Sequence, residues 1–289
     1  MNMHNPAVAA AAANAAAPVD ALMKSIRIPP RPSLLVDLQC ELAQDEPAPA
    51  AIARIIAADV GMAGALLKLA NSSFYGGARP AKSVDQAIAF LGMTQVAALM
   101  AGLLARQAIA SGGVSLAQFW ELSTRRAQAM VFLSKRLRIG APDVAHTFGL
   151  FCDTGVALLL ERFDDYGATC AAAASEPLRR FTDIEDERHS TNHAAIGCLL
   201  ARNWGLSSEV AWAILHHHDY QVIDDQASDD TVRSLVALSL LAERAVQAYQ
   251  GTPDSVEWRK GGERACAYLG LADDEVTDLT DQLADAFSH

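Results

Sequence analysis

Apolar residues recur along this chain at three- and four-residue intervals, and strand-type alternation is almost absent, so the pattern predicts helices throughout. Ser33 stands as an N-cap before the stripe Leu34, Leu35, Leu38 and Leu42, and "DEPAP" (45–49) breaks that helix. A second helix through Ile52, Ile55 and Ile56 ends near Asp59, and a third carries Met62, Leu66, Leu67 and Leu69. Ser83 with Gln86 forms a capping-box pattern before "AIAFLG", and Gly92 is placed as a stop. A long helix from Thr94 to about Ala110 leads to the linker "SGG" (111–113). Further helices are expected over 116–137, 143–163, 183–204, 208–218, 231–249, 255–269 and 274–287. The expected fold is all-α: two helical lobes plus a C-terminal helical extension.

Composition sharpens this picture. The 289 residues are 51% hydrophobic and only 6% aromatic, with alanine prominent, which favours close-packed helices. Residues 1–25, "MNMHNPAVAAAAANAAAPVDALMKS", carry little to bury and read as a flexible tail. They lack the basic start and leucine-rich stretch of a secretory signal. No uninterrupted apolar run approaches the ~18 residues of a membrane span. The net charge of −11 argues against nucleic acid and anionic membrane as partners. Five scattered cysteines without CxxC spacing suit a reducing compartment. The expected location is cytoplasmic.

The chemistry-bearing residues are few. "GLFCDTGVALL" (149–159) sets Asp153 inside an apolar run, where a carboxylate is costly unless paired. It reads either as a helix-breaking cap or as a metal ligand. His193 lies on the stripe His193, Ile196, Leu200 and Trp204, so it should face inward. In "HHHDY" (216–220) successive helical residues diverge by about 100°, which makes His217 the inward one and leaves His216 and His218 flanking it. "LANSSFYG" (69–76) ends a helix at Asn71; Ser72 and Asn71 suit local capping, with an exposed recognition corner at Tyr75 as the alternative. The acids of "DIEDER" (183–188) read as a solvated helix start. Nucleotide loops and acyl-transfer elbows are missing.

These segments resemble the HD-related output domains (HDOD). The resemblance runs from "IPPRPSLL" through "IIAADVGMAGALLKLANSSFYGG", "SVDQAIAFLGMTQV", "FWELS" and "GLFCDTGVALL" to "HAAIGCLLARNWGL" and "AILHHHD". It implies a domain over 26–220, with an N-terminal helical lobe at 26–112 and an HD-like lobe at 113–220, followed by an extension at 221–289. It further implies a bacterial signalling protein related to HD phosphohydrolases. In catalytic relatives an early histidine and a His-Asp pair hold metal; here those positions fall on Leu122 and Cys152, while Asp153, His193 and His217 match. A thiolate at Cys152 would suit a softer metal.

The resulting expectation is a degenerate, non-enzymatic signalling module without cofactor or bound metal. It would act by binding a signalling protein or a small molecule through Asn71, Ser72 and Tyr75 or through Asp153, His193 and His217. Two alternatives stand beside it. One is a metal-dependent phosphohydrolase acting on a nucleotide or cyclic dinucleotide. The other is a non-hydrolysing cyclic-dinucleotide binder, for which Arg125, Arg126, Arg179 and Arg180 are the candidate phosphate contacts.

Overall fold

A computed structural model describes residues 26–72, 74–75, 80–109, 116–252 and 255–288. The expected flexible tail (1–25) and the expected linker (111–113) lie outside the described residues. Among the described residues every regular element is helical. The N-terminal lobe holds α1 (Ser33–Leu42), α2 (Pro49–Ala57), α3 (Val60–Ala70), α4 (Val84–Leu91) and α5 (Met93–Ala108). The second lobe holds α6 (Ala117–Leu137), α7 (Pro142–Phe151), α8 (Thr154–Arg162), α9 (Tyr166–Ser175), α10 (Phe181–His189), α11 (His193–Asn203) and α12 (Ser208–His216). A 3₁₀ turn at Tyr220–Ile223 leads to α13 (Asp230–Tyr249), α14 (Val256–Leu269) and α15 (Asp273–Ser288).

The helix ends follow cap chemistry. Ser83 Oγ accepts from the Gln86 amide at 3.2 Å, and Gln86 Oε1 accepts from Lys82 N at 2.7 Å. Gly92 takes φ +86° and so closes α4 while opening α5. Ser33 does not cap α1: it is already the first helical residue, and Pro32 precedes it in extended geometry without a side-chain cap. The helix expected over 183–204 is two. Ser190 sits in the left-handed region at φ 55°, and Asn192 restarts the chain by accepting from Ala195 N at 2.8 Å. Helix α9 was not foreseen, since its alanine run has no stripe to read.

One contiguous core links the lobes and the C-terminal helices, running from Ile26 to Leu283. Trp204, fully buried, donates from Nε1 to Pro29 O at 3.0 Å and meets Phe151 edge-on, tying the extended lead-in to the second lobe. The C-terminal extension packs into this core: α13 packs on α6, α12, α14 and α15 and buries most of one face. The helical run Pro142–Arg162 is long and apolar enough to cross a membrane by length and composition, but 67% of it is packed inside the protein. Its apolarity is therefore the apolarity of a core element.

Gly149 sets the crossing of α6 and α7. A Cβ there would lie 2.9 Å from Ala127 Cα, so only glycine permits the approach. That approach brings Arg126 of α6 to the C-terminal end of α7, where Cys152 and Asp153 follow.

Candidate functional site

The break between α7 and α8 presents Asp153 to a cavity of ≈ 140 Å³. Gly155 explains the residue sequence after the acid: a Cβ at this position would lie 2.0 Å from the His193 carbonyl oxygen. Without a side chain, α8 rests directly against the first turn of α11, and Asp153 and His193 meet. His193 Nε2 lies 3.6 Å from Asp153 Oδ1, His217 Nε2 lies 3.3 Å from the same oxygen, and the two Nε2 atoms are 3.1 Å apart. Asp153, His193 and His217 thus meet at one place.

His218 joins them, against expectation. Donor atoms of Asp153, His193, His217 and His218 all lie within 4.8 Å of one another. The 100° rule failed because α12 ends at His216, so residues 217 and 218 are turn rather than helix. His216 stays outside, stacked on Trp212. Phe181 stacks on His218 and packs edge-on to His193, holding both rings.

Each inward histidine is fixed from behind. His193 Nδ1 is 2.7 Å from Glu185 Oε2, His217 Nδ1 is 2.6 Å from Ile214 O, and His218 Nδ1 is 3.0 Å from Glu257 Oε2. Glu185 is fully buried and also accepts from the Tyr166 hydroxyl, which corrects the reading of "DIEDER" as solvated. The run around it is mostly charged and its partner lies eight residues on, so no local pattern marked it. Glu257 accepts from Tyr220 and, at 2.7 Å, from Lys260 Nζ. Burial raises the Glu257 pKa, but His218, Lys260 and Tyr220 outweigh it and bring it to about 2.

Arg126 is the residue that completes the site. Its Nη1 lies 2.6 Å from Asp153 Oδ2 and donates to Cys152 Sγ at 2.9 Å. Burial would raise the Asp153 pKa, but the Arg126 charge and then His217 and His193 hold the carboxyl well below its usual range. The Cys152 thiol is pushed up to about 12 by burial, with Arg126 opposing only in part. Cys152 is therefore a neutral thiol beside the donor cluster, not a thiolate in it. Leu122 does not line the cavity; Arg126, one turn further along α6, does.

The donor set can be tested for a cation. A carbonyl or carboxylate facing Nδ1 fixes the proton there, so His193 and His217 turn Nε2 inward, the arrangement outer partners impose on metal-bound imidazoles. Asp153, His193, His217 and His218 therefore fit a divalent cation such as zinc, which would supply Lewis acidity at that point. A proton fits the same place. Burial lowers the His193 pKa, but Glu185 outweighs it and raises it above the usual value. Burial, with His218 close by, takes His217 down to about 4. When His193 is protonated, its Nε2–H can donate to His217 Nε2 at 3.1 Å.

The other expected site residues lie elsewhere. Asn71 Nδ2 donates to Ala81 O at 2.9 Å and its Oδ1 accepts from Ala81 N at 2.7 Å, while Ser72 Oγ donates to Leu69 O at 2.8 Å. Tyr75 is 4% exposed, so the exposed position expected for it is not found, and Asn71 and Ser72 make local capping bonds. The Tyr75 ring lies edge-on to His146 instead, with centroids 5.9 Å apart. The four arginines do not gather either. Arg125 pairs with Glu121, Arg179 with Glu187, Arg180 with Asp183, and only Arg126 reaches the cavity.

An all-helical chain that gathers an aspartate and three imidazoles at the break between two helices has the architecture of an HD-type domain. The chain matches the HDOD domain over residues 28–220 and belongs to that family. It is similar in fold to an HDOD domain protein with unknown function from Geobacter sulfurreducens, with TM-score 0.69, 18% identity, and coverage of 93% of this chain and 96% of that one. A protein named "Putative phosphohydrolase" from Shewanella amazonensis SB2B gives TM-score 0.70 at 22% identity, covering 92% and 93%. An uncharacterized protein of Treponema pallidum is 26% identical over 203 residues, spanning 66% of this chain but only 38% of its own length.

Proposed function

We propose that the protein is a regulatory signalling module that works by binding a protein partner rather than by hydrolysis. The observation that carries this reading is the covering of the HD-like site by the C-terminal helices. Glu243 and Gln247 of α13 and Ser255 to Glu257 at the start of α14 wall the cavity down to ≈ 140 Å³. Nucleotide-sized ligands need pockets of roughly 300 Å³ or more. The covering residues are also the wrong charge for phosphate: Glu243 and Glu257 add two carboxylates to Asp153, and Arg126 is already spent on that aspartate. Gln247 Nε2 donates to Glu243 Oε1 at 2.9 Å, which holds the wall in place.

A second reading is a metal-dependent phosphohydrolase, and the convergence of four donors within 4.8 Å favours it. Elemental analysis of protein purified without chelator, with phosphodiester hydrolysis measured on the same sample, separates the two. The regulatory reading expects no stoichiometric zinc, iron or manganese and no turnover. About one metal per chain, with hydrolysis lost in Asp153→Asn, overturns it.

A further inference from the structure

A second cavity, of ≈ 110 Å³, lies between the lobes where α3 and α5 face α6 and α7. It shares no residue with the HD-like site. Its walls are mainly apolar, with Leu69, Leu99, Trp120 and Leu150 contributing. Five polar side chains also border it: Arg106, Thr124, Gln128, Tyr75 and His146. Tyr75 and His146 are 4% and 5% exposed, with rings 5.9 Å apart at 69°. Neither the Tyr75 hydroxyl nor His146 Nδ1 has a hydrogen-bond partner among the described residues. Native interiors rarely leave such groups unpaired, and two beside one cavity call for an explanation. Burial takes the His146 pKa down to about 4, so the ring is neutral.

We propose that this interlobe cavity is a binding site for a small neutral ring-sized molecule carrying one hydrogen-bonding hydroxyl. Size comes first: an apolar cavity of about 150 Å³ in another protein takes up benzene, and ≈ 110 Å³ is on that scale. Polarity comes second. A hydroxyl can donate to His146 Nδ1 while accepting from the Tyr75 hydroxyl, which satisfies both orphaned atoms at once. A single water could do the same, but it needs only roughly 10–15 Å³ of cavity and would leave the apolar walls without contacts. Access comes third. Arg106, Thr124 and Gln128 border both this cavity and an adjoining surface groove, so a route to solvent exists. A ligand here touches helices of both lobes, so its binding free energy depends on how they sit together.

Phenol is the probe, with toluene as its counterpart lacking the hydroxyl, each titrated into the full-length protein by calorimetry and by NMR of the histidine ring nitrogens. Phenol is expected to bind at millimolar concentration or below, to shift the His146 Nδ1 resonance, and to bind roughly ten-fold tighter than toluene. Tyr75→Phe keeps the ring and removes the hydroxyl, and should narrow the preference for phenol over toluene without abolishing it, because His146 Nδ1 still accepts from phenol. If phenol leaves the His146 resonance unmoved at millimolar concentration, the cavity holds water only and the proposal fails. It fails equally if phenol binds but shows no preference over toluene in the wild type. The wild-type titration decides the matter even if the variant is unstable.

Discussion

Replacing Arg126 with methionine tests the electrostatic logic of the HD-like site. The substitution keeps most of the buried stem and removes the guanidinium that sits 2.6 Å from Asp153 Oδ2. At an effective dielectric of about 20, a pair at that distance attracts by about 6 kcal/mol. Desolvation of both ions offsets much of this, and breaking a buried pair typically costs about 3–5 kcal/mol because one charge is left alone. The side chains are 15% and 24% exposed, so solvent screens part of the loss. His217 and His193 also remain near the carboxylate. The expected destabilisation of Arg126→Met is therefore about 2–4 kcal/mol, read as a lower urea midpoint with unchanged m-value. Pairing it with Asp153→Asn in a double-mutant cycle isolates the interaction, and the double variant should lose less than the sum. The same variant frees Asp153, so zinc should raise its midpoint more than it raises that of the wild type. A loss below about 0.5 kcal/mol, or additivity in the cycle, would show that Arg126 is not what keeps Asp153 ionised.

Two further outcomes are expected. Gly155→Ala places a Cβ 2.0 Å from the His193 carbonyl, where backbone meets backbone and neither can yield; the variant should lose about 3 kcal/mol or more in urea unfolding and separate the His193 and Asp153 signals in NMR, and a loss under about 1 kcal/mol would refute the close approach. The His146 pKa falls to about 4 from 6.5, so the unfolded chain binds its proton first as pH drops, and this residue lowers stability between those values. Wild-type stability should thus fall from pH 7 to pH 4 by about 3 kcal/mol more than that of His146→Leu, and parallel pH profiles for the two proteins would count against a buried neutral ring.

How much of this was legible in the chain depends on how far each interaction reaches. Helical class, most helix positions and the Ser83 and Gly92 caps follow from spacings of three or four residues, and the structure keeps them. Asp153, His193 and His217 were legible too, because each is a polar residue on an otherwise apolar stripe. That kind of anomaly is visible in one dimension. The family was legible for the same reason, from long contiguous segments.

Tertiary structure decided the rest. His218 points inward because it lies beyond the end of α12 at His216, where the 100° spacing of helical residues no longer applies. Glu185 sits in a charged run that reads as solvated; it is buried because His193 and Tyr166, 8 and 19 residues away, provide its hydrogen bonds. Arg126 reaches Cys152 across 26 residues because Gly149 lets two helices touch. The C-terminal helices, which follow the matched domain, supply Glu243 and Glu257 and set the size of the cavity. A sequence determines local geometry through neighbouring dihedrals and apolar periodicity. Which charges meet is set by distance in space after packing, and periodicity carries no information about that.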